Sequence, residues 1–272
     1  MIDLHVHTTG SDGVCTPKEL VELCLREKID VVSVCDHDTV SSVDETMSLA
    51  ASNGIVCVPG IELSCDYPWG DFHLLGYNIN CTDSRLKQVL DYFNTQRDNR
   101  IDRMIENLNR HGIAITREML QMDSMTTPGK PHIARALVAM NVVSSVDEAF
   151  ATLLGRGMPG DAPKEKIKIR RAFDVVIAAG GTPVLAHPAT LRLDTGSFEA
   201  YIGELAKYGL KGLEVYASLH SDREVEAFKA VARRYDLLCT GGSDYHGDKK
   251  GERLGYYGRD RIIPEEAADG LV

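Results

Sequence analysis

Short apolar runs alternate along the chain with segments whose apolar residues recur at helical spacing. The runs predict strands over Ile2–Val6, Asp30–Cys35, Ile55–Ile61, Phe72–Tyr77, Thr182–Ala186, Gly212–Tyr216 and Leu237–Thr240. Helices with readable starts fall between most of them. Thr16-Pro17-Lys18-Glu19 has the form of a capping box with proline at the first helical position. Ser42-Val43-Asp44-Glu45 and Ser221-Asp222-Arg223-Glu224 repeat the box; Gly54 closes the helix after the first of these. Gly180-Gly181 ends a helix that begins near Arg170. Alternation of this kind predicts an α/β protein with a parallel sheet, either open or closed into a barrel.

The stretch from about Asp83 to Ile169 breaks the alternation. Leu86, Leu90, Phe93, Ile101, Met104, Ile105 and Leu108 lie near helical spacing, up to a stop at Gly112. A second helix starts at Pro131, and a third starts at Ser145-Val146-Asp147-Glu148 and stops at Gly155. No strong strand interrupts them. The expected organisation is a barrel in two parts, 1–82 and 170–272, with a small helical insertion at 83–169 that caps the substrate.

Composition adds exclusions. The chain has 272 residues, 43% hydrophobic and 26% charged, which excludes a disordered or collagen-like chain. No apolar run reaches the roughly 20 residues of a membrane helix. The opening MIDLHVHTTGSDG has no basic stretch followed by an apolar core, so no signal peptide is expected. A net charge of -10 runs against a protein that grips duplex nucleic acid, and is compatible with bound cations. Seven cysteines, an odd number without C-x-x-C, argue against a disulfide framework or zinc finger. They fit a reducing cytoplasm. Cys24, Cys35 and Cys57 sit among apolar residues and read as core.

The candidate chemistry lies at the strand ends. His5 and His7 share a strand face, and Ile2, Leu4 and Val6 take the other. Asp12 follows in the next loop. The second strand runs into Asp36-His37-Asp38, the third into Glu62, and His73 opens the fourth. The fifth ends at His187, the sixth near Glu214 with His220 beyond, and the seventh at Asp244 and His246. In a parallel barrel such ends converge on one rim. Imidazoles and carboxylates gathered there would repel or titrate abnormally unless cations joined them. Mixed nitrogen and oxygen ligands suit manganese, iron or zinc. His111, within an amphipathic helix, reads instead as a surface residue.

These motifs, H-x-H, S-D-G, D-H-D-T, G-x-E, F-H-L-L-G-Y, L-A-H-P and G-G-S-D-Y-H-G, resemble in order those of the polymerase and histidinol phosphatase (PHP) superfamily. The resemblance spans nearly the whole chain. It implies a distorted seven-stranded (β/α)7 barrel carrying two or three divalent metals, with manganese expected and iron or zinc as alternatives. It further implies that His5, His7, Glu62 and Asp244 hold one metal. Glu62 would bridge to a second, held also by His73 and His187, and Asp12, His37 and His246 would hold a third. Asp36 and Asp38 would orient ligand histidines. H-x-H alone also resembles the amidohydrolase superfamily. Against that stand a bridging carboxylate on an early strand and the third site that Asp12 and His37 would supply.

Within the insertion, Gly129-Lys130-Pro131-His132-Ile133-Ala134-Arg135-Ala136-Leu137 resembles the G-x-P-H-I-A-R-A-L helix of stand-alone PHP phosphoesterases, including those acting on nucleoside 3',5'-bisphosphates. That resemblance implies a phosphate role for His132 and Arg135, which share a helix face. It gives Lys164 a substrate contact, and His220 a place facing the substrate as general acid for the leaving oxygen. The implied activity is a metal-dependent phosphoesterase acting on a small phosphorylated metabolite, a nucleotide or sugar phosphate, through a hydroxide held between the first two metals. The alternatives are a cyclic phosphodiesterase of the same fold and a nucleic-acid-acting exonuclease module.

Overall fold

A computed structural model describes residues 1–120, 129–163, 165–247, 252–258 and 260–272. Eight strands build one sheet: β1 (Ile2–Val6), β2 (Val31–Val34), β3 (Val56–Asp66), β4 (Phe72–Tyr77), β5 (Ile167–Lys168), β6 (Thr182–Leu185), β7 (Gly212–Ala217) and β8 (Leu238–Gly242). Seven of them follow the order β1-β2-β3-β4-β6-β7-β8, and the short β5 pairs with the end of β3. The outer strands also meet. His7 N–H donates to the Tyr245 carbonyl at 2.9 Å, and Asp244 N–H donates to the His5 carbonyl at 2.9 Å. Gly242 permits this approach, because a Cβ there would lie 2.2 Å from His5 Cβ. The result is a nearly closed seven-stranded barrel.

The sheet is mixed, where the strand–helix alternation predicted a parallel one. β4 runs antiparallel to both β3 and β6. The cause is local: the Tyr67–Asp71 connection from β3 to β4 is too short for the crossover that a parallel pair needs. The reversal has a functional consequence. The beginning of β4 lies beside the end of β3, with His73 opposite Ser64, so His73 joins the rim where the parallel strands end. β3 is also longer than its apolar run suggested, and Glu62 lies inside it, opposite Leu75.

Helices cover the barrel. α1 (Pro17–Glu27) begins with the reciprocal Thr16–Glu19 box, and Lys28 ends it in the left-handed region. α2 (Val43–Ser52) departs from expectation. Ser42 precedes it but makes no side-chain cap, because its hydroxyl donates to buried Asp36 instead. Between these helices and the first strands lies an apolar core of Val6, Leu20, Cys24, Val32, Val34 and Ala50. α6 (Ile169–Ala178), α7 (Thr195–Lys207) and α8 (Asp222–Arg234) follow later; Asp194 caps α7 and the Ser221–Glu224 box caps α8.

The chain divides into two compact units, Met1–Leu90 with Lys166–Val272, and Asp91–Glu165. α3 (Ser84–Arg110) starts in the first and ends in the second. In the second unit, Ile101, Met104 and Leu108 of α3 join a core with Ile133, Ala134 and Leu137 of α4 (Lys130–Ala139) and with Ala149 of the short α5 (Val146–Ala149). No described helix is long and apolar enough to cross a membrane.

Candidate metal centre

The first unit gathers the strand-end residues into three overlapping groups whose ligand atoms lie within 4.8 Å of one another: His5, His7, Glu62 and Asp244; His37, Glu62 and His73; and His7, Asp12, His37 and His246. Asp38, His187 and Asp244, at or beside these groups, adopt positive φ of 54°, 24° and 53°, a region non-glycine residues seldom enter, as Lys28, Asn78, Asn141, Arg192 and Asp236 also do elsewhere.

Glu62 is the hub. Its side chain is fully buried. One carboxylate oxygen lies 2.8 Å from His73 Nδ1 and 2.9 Å from His187 Nε2. The other lies 2.9 Å from His37 Nδ1 and 3.4 Å from both His5 Nε2 and His7 Nε2. His37 Nδ1 and that oxygen, although 2.9 Å apart, lack hydrogen-bond geometry and have no other hydrogen-bond partner. They converge as two atoms aimed at a common neighbour would.

Partners on the far side of two histidines fix which nitrogen faces inward. Glu214 accepts from His5 Nδ1 at 2.9 Å. Its second oxygen accepts from the His187 backbone N–H at 2.6 Å. The Thr190 hydroxyl donates to the Asp71 carbonyl, so it accepts from His187 Nδ1 at 3.2 Å. His5 and His187 therefore both turn Nε2 toward Glu62, where a proton or a metal ion must stand between them. His5 Nε2 also stands 3.2 Å from His7 Nε2. Acceptors turned on acceptors at these distances need positive charge between them, and carboxylate–histidine arrangements of this kind orient metal ligands. Divalent ions thus fit the donors present.

The titration directions agree. Burial alone would raise the Glu62 carboxyl, but His37, His73 and His5 hold it well below its ordinary value. Asp12 likewise overcomes burial through His37 and His246. Burial would lower His5, yet Glu214, Glu62 and Asp244 hold it well above the usual imidazole range. His246 is pushed up to about 10 against burial by Asp12, and His7 is pushed down to about 3 by burial and by His246. Protons alone must share the cationic role unevenly; divalent ions would displace them. No cysteine joins the three groups among the described residues. Burial pushes the thiols of Cys24 and Cys35 up to about 12, far from the thiolate a metal would take.

Several expectations change. Asp36 was expected to orient a histidine. It accepts instead from the backbone and hydroxyl of Thr8 and from Ser11 and Ser42, tying down the loop after β1. The carboxylate that orients His5 is Glu214, whose place near the end of a strand was the sequence signal for it. His37 stands in two groups and His7 in two, whereas the resemblance gave each to one. His187 meets the hub through Glu62.

His220 is buried, with Nδ1 on the Val215 carbonyl at 2.8 Å and its ring edge-on to Phe228. Burial pushes its pKa down. Nδ1 donates to that carbonyl, and Nε2 is buried with no hydrogen-bond partner among the described residues. His132 and Arg135 lie on α4 in the second unit; His132 Nδ1 accepts from the Gly129 N–H. Lys164 lies outside the described residues. Its neighbour Lys166 reaches Asp71 at 3.3 Å, and Lys168 pairs with Asp66.

A cavity of about 170 Å³ opens onto the hub, lined by His37, Glu62, His73, His187 and Asp244 together with Asp71, Thr190 and Leu219. A barrel whose strand ends gather imidazoles and carboxylates around one buried glutamate is a site for metal ions. The PHP domain model matches residues 3–127. The 5'-3' exoribonuclease Rnm of Escherichia coli is 30% identical over 90% of this chain and 84% of its own length. The 3',5'-nucleoside bisphosphate phosphatase of Chromobacterium violaceum is 29% identical over 93% of this chain and 89% of its own. A crystal structure from Bifidobacterium adolescentis, provisionally described as a metal-dependent phosphoesterase, superposes with a TM-score of 0.88 at 29% identity, covering 99% of this chain and 94% of that one. The chain belongs to the PHP domain family.

Proposed function

We propose that the enzyme hydrolyses a phosphate ester of a nucleotide, using two or three divalent ions, manganese first among them, held by His5, His7, Asp12, His37, Glu62, His73, His187, Asp244 and His246. The observation that carries this reading is the convergence of His5, His187 and His37 nitrogens on the two oxygens of Glu62. Ions bound there supply positive charge for phosphate oxygens and activate water near neutral pH. The chain's own contribution is arrangement. Glu214 and Thr190 hold the Nδ1 atoms of His5 and His187, so that Nε2 of each faces the hub. Lys166 pairs with Asp71, a residue of the cavity wall, and so stands behind that wall as the described cation nearest Lys164 in sequence. His220, held through Nδ1 by the Val215 carbonyl, offers Nε2 to the leaving oxygen of the substrate.

The bisphosphate phosphatase relative favours a small nucleotide. The exoribonuclease relative favours a second reading, in which the nucleotide is the end of an RNA chain. The test is phosphate or nucleotide release by manganese-loaded protein from adenosine 3',5'-bisphosphate, AMP and a 5'-phosphorylated RNA oligomer. Turnover of the small substrates with little on RNA supports the first reading. Stepwise shortening of RNA supports the second. Full activity in excess chelator would overturn both.

A further inference from the structure

We propose that a hollow beside the metal centre is a nucleobase subsite, with Trp69 as the platform on which the base stacks. The proposal rests on the nucleotide phosphoesterase reading above. The hollow holds about 360 Å³ and is lined by Tyr67, Trp69, Leu193, Ser197, Tyr201 and Glu204. That volume falls within the roughly 300–1,000 Å³ typical of small-ligand sites. Trp69 is 70% exposed, so its indole does not serve as core. Tyr67 stands edge-on to it, with ring centroids 5.5 Å apart, and also contacts Tyr201 at 5.9 Å.

The turn that carries the platform is held at its base. The Asp71 N–H donates to the Thr190 carbonyl at 3.1 Å, and the Thr190 hydroxyl donates to the Asp71 carbonyl at 2.7 Å. Gly70 lies so close to this turn that a Cβ would come 2.2 Å from the Thr190 carbonyl oxygen.

Position supplies the ligand class. Asp71 and Thr190 line the metal-side cavity, while Tyr67, Trp69 and Leu193, from the same two segments, line the hollow. Trp69 is two residues from Asp71, so their Cα atoms are at most about 7.6 Å apart. The hollow thus adjoins, along two chain segments, the cavity where a substrate phosphate would lie. Every base offers a flat face for stacking. On the same wall the Ser197 hydroxyl, which donates to Asp194, and the second oxygen of Glu204, whose first is paired with Lys207, keep acceptor capacity for the polar edge of a base.

Trp69 is the chain's single tryptophan, so indole fluorescence reports on this position alone. Manganese-loaded protein would be titrated with AMP and with ribose 5-phosphate, which lacks the base. Saturable quenching by AMP and not by ribose 5-phosphate is expected. In turnover, Trp69→Leu should reduce the preference for AMP over ribose 5-phosphate, as a ratio of kcat/KM values, by about 5- to 150-fold. The loss should lie mainly in KM, and Trp69→Phe should restore part of it. Equal quenching by both compounds, or an unchanged preference in Trp69→Leu, would overturn the subsite. Should neither compound be hydrolysed, the phosphoesterase reading falls on its own, and the fluorescence titration still decides whether a base binds here.

Discussion

The two units of the molecule use burial for opposite ends. In the first unit, fully buried side chains include Asp3, His5, His7, Asp36, Glu62 and Glu214, each satisfied by hydrogen bonds or aimed at the hub. In the second unit the buried set is mostly apolar, with Ile101, Met104, Leu108, Ile133 and Leu137, and includes few polar side chains such as Arg97 and His132. Many of its charges stay outside, as in the Arg117 pairs with Asp98 and Asp102 and the Arg110–Glu106 pair. A core of side chains that desire only to leave water stabilises a fold by itself. A core of ionisable groups costs desolvation and is retained where something charged must be held. The difference separates a unit built around chemistry from one built around packing.

The sharpest way to break that comparison is Glu62→Gln. Removing the hub charge should lower metal content per chain and reduce kcat by orders of magnitude, with the circular dichroism spectrum retained. Near-normal turnover by metal-replete variant protein would show that the hub is not where the chemistry lies. In the other unit, Leu137→Ala removes a fully buried side chain and should cost about 2–5 kcal/mol of unfolding free energy. Elemental analysis of the folded protein should still find wild-type metal content. A loss of metal would mean the units are not separable in function.

Arg135→Ala tests whether the packing unit also carries chemistry. Loss of charge-assisted hydrogen bonds worth about 1.5–3 kcal/mol corresponds to about 10- to 150-fold in kcat/KM. It should appear with adenosine 3',5'-bisphosphate and be small with an aryl phosphate that has no second phosphate. Equal kinetics on both substrates would assign Arg135 to the helical surface alone. The smallest of these effects belongs to Glu214→Gln, which keeps the shape and weakens the orientation of His5. Metal affinity or activity should fall by about 10- to 100-fold, as for other partners of ligand histidines. Wild-type affinity by calorimetry would make Glu214 a structural residue.

Much was legible in the chain because it is local. The boxes at Thr16–Glu19 and Ser221–Glu224 close with contacts three residues apart, and both form. His5 and His7 share a face because strands have a period of two. The same reasoning fails at Ser42, where a local cap competes with a carboxylate six residues earlier and the buried charge wins. Asp36 shows the same limit, because which donors surround its side chain is set by the folded loop and not by its place in the sequence.

The sequence by itself determined the chemical inventory, the strand-end positions of the imidazoles and carboxylates, and the α/β character of a barrel with an inserted helical segment. Tertiary structure alone decided how those residues are shared. The antiparallel course of β4 brings His73 to the rim. Glu214 reaches across from β7 to fix His5, a partner 209 positions away. His7 and His37 each stand between groups because the barrel is narrow enough for one imidazole to face two neighbours. Spacing along a strand fixes which face a side chain takes. Which side chains meet across the barrel depends on strand direction and register, and these are settled only when the whole sheet closes.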